Sequence, residues 1–192
     1  MELYDFYGPV DGSNLIPLIQ LMFPKGAVGA EIGVFKAHTF CALLQNCPNI
    51  TTLYGVDSYQ PYTDYLKEPY DRTPSYFIDK KQIEVIKFLA YHNIEYSGVK
   101  DKAVIYEEDT SIAKTRFEDE SLDFIFLDTY MTREQADQDL IDWYPKVKKG
   151  GIFAGHDWTV SAIQDAVYNF REKNSIVSTM NTYNNTWIWI KE

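Results

Sequence analysis

Cysteine is scarce in this chain, and so are the marks of export. Only Cys41 and Cys47 occur among 192 residues. Six positions apart on one predicted helix, they would stand about 9 Å apart along its axis, beyond the reach of a disulfide. The opening run Met1, Glu2, Leu3, Tyr4, Asp5, Phe6 offers neither a basic n-region nor a long apolar stretch. Nowhere do apolar residues run long enough for a spanning helix, which would need about 18 in succession. The expectation is a reduced, cytoplasmic protein with no membrane partner. Positive charge is the next deficit: 18 Lys and Arg stand against 28 Asp and Glu, for a net charge of -10 and a pI near 4.7. Such a surface repels phosphate backbones, so no nucleic acid partner is expected. Lys146, Lys148 and Lys149 come nearest to a basic stripe and read as a solvated helix end. Repeats and low-complexity tracts are absent too. A small-molecule or glycan substrate is the partner class left, and the residues leave a homo-oligomer open.

What is present is an ordinary globular balance, 45% hydrophobic, with an unusual 16% of aromatic residues. Strand-like and helix-like segments alternate along it. Strands are expected at 26–32, 51–56, 103–106, 122–127, 152–154, 175–179 and 186–190. Helices are expected at 15–22, 39–45, 76–92, 111–117, 132–143 and 160–171. In the helix at 76–92, Phe77, Ile83, Ile86, Phe88 and Leu89 are the expected packing positions. Residues 122–127, Leu-Asp-Phe-Ile-Phe-Leu, read as a strand buried on both faces. Gly150-Gly151 reads as a turn before the fifth strand, and Asn184-Asn185 as the turn of a closing hairpin. Residues 58–74, rich in Tyr, Pro and Asp, read as a long loop, either a functional lid or disordered. The order predicts an α/β fold over one domain, 1–192: a Rossmann-like three-layer sandwich, with a mostly parallel seven-stranded sheet and an antiparallel C-terminal strand. Ligands of such sheets bind beyond the carboxyl ends of the strands. The residues to watch are therefore the strand-ending ones.

The first strand runs out through Glu31, Ile32 and Gly33, followed by Val34, Phe35, Lys36 and Ala37. A dinucleotide fold wants Gly-x-Gly-x-x-Gly so that backbone can meet a pyrophosphate. Phe35 occupies the second glycine position and would crowd one, which argues against a nicotinamide-dependent reductase. Carboxylates at this end suit instead a ligand with positive charge and no phosphate. Glu31-x-Gly33-x-x-x-Ala37 resembles motif I of class I methyltransferases, and Asp57 resembles their ribose-binding acid. Asp109-Thr110-Ser111, the run from Ser121 to Asp128, and the run from Gly150 to Trp158 extend the likeness. Together, over roughly residues 26 to 160, they resemble the small class I group that includes macrolide-sugar O-methyltransferases and cephalosporin hydroxylases. The resemblance implies S-adenosylmethionine as cofactor. It puts Glu31 and Gly33 at the methionine end, Asp57 at the ribose, Asp109 and Thr110 near the adenine, and Asp128 beside the cofactor. Two departures stand out. Ala37 holds a position where many relatives have glycine, and Met131 one where many have histidine.

At the chemical end, Asp128, His156 and Asp157 close strands four and five and should converge over the transferable methyl. Asp128 and His156 are the expected catalytic pair. Two carboxylates and an imidazole also suit a divalent cation, Mg²⁺ or another, with Asp128, His156 and Asp157 as metal ligands. Some relatives in the resembling group place metal ligands at the matching positions. Three readings of His156 stay open: metal ligand, general base or substrate contact without metal, and a loop-ordering residue. For the whole chain the reading is a methyltransferase acting on a small-molecule or sugar hydroxyl. The alternatives are a hydroxylase-like relative and a non-catalytic nucleoside-binding module.

Overall fold

The computed structural model describes residues 12–61, 79–129 and 132–192. Seven strands form one sheet: β1 (Ala27–Ile32), β2 (Ile50–Val56), β3 (Ala103–Tyr106), β4 (Leu122–Leu127), β5 (Val147–Gly155), β6 (Asn181–Tyr183) and β7 (Thr186–Ile190). Their spatial order is β3-β2-β1-β4-β5-β7-β6. Neighbours from β3 to β5 pair parallel, while β7 pairs antiparallel with both β5 and β6. The chain thus winds outward through β1, β2 and β3, then returns to lay β4 on the other side of β1. That reversal opens a crevice at the carboxyl ends of β1 and β4.

Helices cover both faces, giving the expected three layers. On one face α1 (Leu15–Met22), α2 (His38–Asn46) and α3 (Lys80–Tyr96) bury Leu15, Ile19, Phe40, Leu43, Ile83 and Ile86. On the other, α4 (Thr110–Ala113), α5 (Arg133–Trp143) and α6 (Ser161–Lys173) bury Ala113, Leu140, Trp143, Ile163 and Phe170. Capping sets several boundaries: Asp79 accepts from the amides of Lys81 and Gln82, and Thr132 from that of Gln135. Much of the aromatic excess lies on one side of the sheet. Phe153 meets Trp187, Trp189 and Tyr144 with ring centroids 5.2–5.6 Å apart. Each well-angled pair adds about 1 kcal/mol beyond its buried area. No helix among the described residues is long and apolar enough to cross a membrane.

Three expectations shift. The strand expected at 175–179 is absent, and β6 is Asn181–Tyr183. Asn184 and Asn185 both have positive φ, 46° and 63°, as a two-residue hairpin turn requires. Tyr183 must then face Thr186, so the turn fixes the register and outranks the β-branched composition upstream. Gly150-Gly151 lies within β5 and does not precede it. Gly150 takes φ +75° at an irregularity in the β4–β5 register, a bulge. The helix expected at 76–92 is α3, and its buried stripe runs Ile83, Ile86, Ala90, Asn93 and Ile94. Phe88 is exposed, and Phe77 lies outside the described residues, as do Tyr62 to Phe77 of the tyrosine-rich segment and Met131. Cys41 and Cys47 are buried free thiols, and burial pushes Cys41 up to about 11.

Candidate active site

Two strand ends set the scale of the site. The Asp128 amide donates to the carbonyl of Ile32 at 2.7 Å and the Gly33 amide to that of Val56 at 2.8 Å, so β1 holds both neighbours into the loops beyond it. Gly33 has φ +92°, and a Cβ built there would lie 2.1 Å from the carbonyl oxygen of Asp128. Only glycine lets the two loops pass this closely.

The loop after Gly33 wraps the Asp57 carboxylate. Asp57 Oδ2 accepts from the amides of Val34 (3.0 Å) and Phe35 (2.8 Å), and Oδ1 from that of Tyr59 (2.9 Å). Phe35 and Ala37 adopt left-handed backbone, φ 50° and 62°, which explains why glycine suits position 37. Burial pushes the Asp57 carboxyl above the usual carboxylate range, against the pull of the three amides. A carboxylate offers about four acceptor positions. Three are taken by amides among the described residues, which leaves one acceptor position on Oδ1.

A cleft open to solvent runs past these residues. Gly33, Asp57, Asp109 and Thr110 line it, together with Glu108, Thr129 and Gln135. Asp109 caps α4, accepting from the Ser111 amide at 2.9 Å. The Thr110 hydroxyl donates to Asp139 at 3.0 Å and accepts from the Trp143 indole at 2.6 Å. Glu31 is 2% exposed on β1, close enough to Cys41 and Tyr59 to act on their charge. It therefore stands behind the α2–α3 side of the sheet and is not part of the cleft lining.

Asp128, His156 and Asp157 do meet. One ligating atom from each lies within 4.8 Å of the others. His156 Nδ1 is 3.3 Å from both Asp128 Oδ1 and Asp157 Oδ1. Burial works against the charged imidazole, but the two carboxylates outweigh it and push it up to about 10. Its other nitrogen is held differently. Nε2 lies 3.2 Å from Asn185 Nδ2, and Asn185 Oδ1 accepts the Thr159 amide at 2.6 Å. The hydrogen bond from Thr159 turns the NH₂ of Asn185 toward the ring, so in the neutral imidazole Nε2 accepts and Nδ1 carries the proton toward the carboxylates. The Trp187 indole donates to the His156 carbonyl at 3.1 Å, tying the ring's backbone to β7. His92, by contrast, is exposed on α3 between the rings of Phe88 and Tyr96.

Two contributors escaped the sequence reading. Asn185 registered only as a turn residue. Asp139 sits on the buried stripe of α5 with Ala136, Leu140 and Trp143, and a carboxylate at a stripe position was the available signal. It is 0% exposed. Burial pushes it up to about 6, the charge of Asp142 adding to that effect and hydrogen bonds from Thr129, Thr110 and Gln135 opposing it. A carboxyl whose folded pKa is raised destabilises the fold above that pKa, and the penalty fades as pH falls toward the unfolded value. From pH 7 to pH 5 the wild-type chain should therefore gain about 1 kcal/mol of stability over Asp139→Asn. Urea denaturation of both at the two pH values measures it, and parallel curves would contradict it.

A profile of the methyltransferase-domain family matches residues 30–158, well over half the chain, from the second half of β1 through the His156 loop. The chain belongs to the methyltransferase-domain family. Fold and family together make it a class I, S-adenosylmethionine-dependent methyltransferase. Among solved structures it is similar to the O-methyltransferase NovP, with TM-score 0.68 and 17% identity over 92% of this chain and 78% of that one. The O-methyltransferase TomG from Streptomyces achromogenes, involved in tomaymycin synthesis and solved with SAM, gives 0.64 and 12% over 94% and 79%. The precorrin 8w decarboxylase of Methanobacterium thermoautotrophicum gives 0.62 and 12% over 100% and 96%. Likeness at these identities concerns the fold, which carries more than one chemistry. Compared sequence to sequence, the methyltransferase matches no curated protein significantly.

Proposed function

We propose that this methyltransferase transfers the methyl group of S-adenosylmethionine to a hydroxyl of a small molecule or sugar. The observation that carries the reading is the convergence of Asp128, His156 and Asp157 at the strand ends beside the cleft. The structural likeness to two O-methyltransferases supports it. The cleft fits the cofactor by charge. Asp57 and Asp109 along its wall suit a ribose diol and a cationic ligand and would repel a pyrophosphate, while Glu108 is paired with Arg116. In this reading Gly33 lets backbone approach the cofactor, Asp57 accepts from the ribose, and Asp109 and Thr110 flank the adenine. Glu31 acts from behind, at the methionine end.

S-adenosylmethionine supplies an electrophilic methyl on a sulfonium, whose C–S bond breaks with its electron pair going to sulfur as the acceptor oxygen attacks. The protein's share is to align that oxygen and take its proton. Asp128 accepts the proton, and the Nδ1–H of His156 orients the Asp128 carboxylate and stabilises its charge. Asp157 holds the ring from the other side. The same three side chains fit one divalent ion by spacing, and an ion bound there would lower the acceptor hydroxyl's pKa. An ion held through Nδ1 would leave the ring proton on Nε2, toward which the Asn185 NH₂ points. Asn185→Asp places an acceptor there and should tighten Mn²⁺ binding at least tenfold. Unchanged affinity in a calorimetric titration would refute that link.

Titration of the chain with S-adenosylhomocysteine tests the cofactor half, and no heat at millimolar ligand would sink it. Methyl-donor turnover across a panel of hydroxylated acceptors, with and without chelator, tests the acceptor half. Transfer to amines or thiols alone would replace the hydroxyl reading.

A further inference from the structure

We propose that Asp139 is the positioning residue of the cofactor cleft, holding three of its wall side chains from a site the ligand never touches. The inference rests on the cofactor reading of that cleft. Asp139 Oδ1 accepts from Thr110 Oγ1 and from Gln135 Nε2, each at 3.0 Å, and Oδ2 accepts from Thr129 Oγ1 at 3.0 Å. The three donors come from the start of α4, from α5, and from the loop after β4. All three line the cleft, and Asp139 does not. Its carboxylate is thus the point at which separate segments of the wall are joined.

Stability alone does not account for a carboxylate in this place. Asp139 is fully buried beside Ala136, Leu140 and Trp143, where an apolar side chain would complete the stripe and a charge is costly to desolvate. The pairing has geometric consequences instead. The Trp143 indole donates to the Thr110 hydroxyl from behind at 2.6 Å, and Thr110 gives its proton to Asp139. Thr129 stands directly against Gly33, its amide nitrogen 2.8 Å from where a Cβ on Gly33 would be. The Asp139–Thr129 bond therefore holds the β4 side of the cleft against the motif I glycine. A short carboxylate with two acceptor oxygens meets this demand, and neither an apolar residue nor a donor-only one does.

Asp139→Leu and Asp139→Asn separate positioning from folding. The amide oxygen of asparagine keeps Thr110 and Gln135, and its NH₂ turns to the Thr129 oxygen, so most of the wall survives. The affinity of the full chain for S-adenosylhomocysteine is measured by calorimetry well below the melting temperature, with the folded fraction of each variant taken from circular dichroism. The expected result is binding at least tenfold weaker per folded molecule in Asp139→Leu, and within threefold of wild type in Asp139→Asn. Should the leucine variant not fold, Asp139→Ala replaces it with the same expectation. Leucine or alanine binding within threefold of wild type overturns the proposal. So does asparagine binding as weakly as leucine, or a loss that vanishes once the folded fraction is applied. A wild-type chain that does not bind the ligand overturns the cofactor reading itself, and the positioning claim with it.

Discussion

Asp128→Asn should lower the turnover of methyl transfer at least a hundredfold while leaving S-adenosylhomocysteine bound. The substitution keeps the shape of the side chain and removes its capacity to take a proton. Positioned general bases contribute roughly 10²–10⁴ in rate. Asp128 is the carboxylate best placed to act as one, because it ends β4 beside Gly33 and its Oδ1 stands 3.3 Å from the imidazole. Asp157 lies at the same distance from the ring but is more exposed, with 36% of its side chain accessible against 21% for Asp128. Water can replace much of what Asp157 does, so Asp157→Asn should cost less than Asp128→Asn. Steady-state rates on an accepted hydroxylated substrate, with ligand affinity measured alongside, separate chemistry from binding. More than a tenth of wild-type turnover in Asp128→Asn would remove Asp128 from the proton-accepting role.

The second large effect is expected at Gly33. A methyl group there meets backbone: the carbonyl oxygen of Asp128 at 2.1 Å, its carbon at 2.5 Å and the amide nitrogen of Thr129 at 2.8 Å. No rotamer relieves such a clash. The φ of +92° adds the strain of an unfavourable region for an L-residue, about 1–2 kcal/mol. Overpacking adds about 1–3 kcal/mol, so Gly33→Ala should lose about 2–5 kcal/mol and, with the β1 and β4 ends forced apart, its cofactor affinity. Gly150→Ala is the control. Gly150 also has positive φ, +75°, but nothing lies within 4 Å of its Cβ position, so it should show the strain alone, about 1 kcal/mol. Denaturant melts of the two variants measure the difference. Equal losses would mean that the close approach at Gly33 carries no weight.

How far the residues could be read depended on the range of the forces involved. β4 was legible because a strand buried on both faces needs an unbroken apolar run, and Leu122 to Leu127 supplies one interrupted only by Asp123, which accepts the Val28 amide at 2.8 Å and pairs with Lys148. The acids that follow strands could be picked as candidates because an α/β sheet turns its strand ends toward a ligand crevice. Asn184-Asn185 was legible as a turn because its backbone geometry is local. The strand before that turn was misplaced, since composition at 175–179 is weaker evidence than a register set from the far side of the hairpin. Gly150-Gly151 reads as a turn for a similar reason, because a bulge is defined only by the neighbouring strand.

The sequence by itself determined the alternation of strands and helices, the class of the sheet, and the candidates Gly33, Asp57, Asp109, Thr110, Asp128, His156 and Asp157, because period, punctuation and residue chemistry act over a few positions. Only the tertiary structure decided how those groups spend their hydrogen bonds. Asp57 gives three acceptor positions to amides, Thr110 gives its proton to Asp139, and His156 is turned by Asn185, 29 residues away. A carboxylate or hydroxyl has few bonding positions, and which of them remain for a ligand depends on partners that only folding brings within 3 Å.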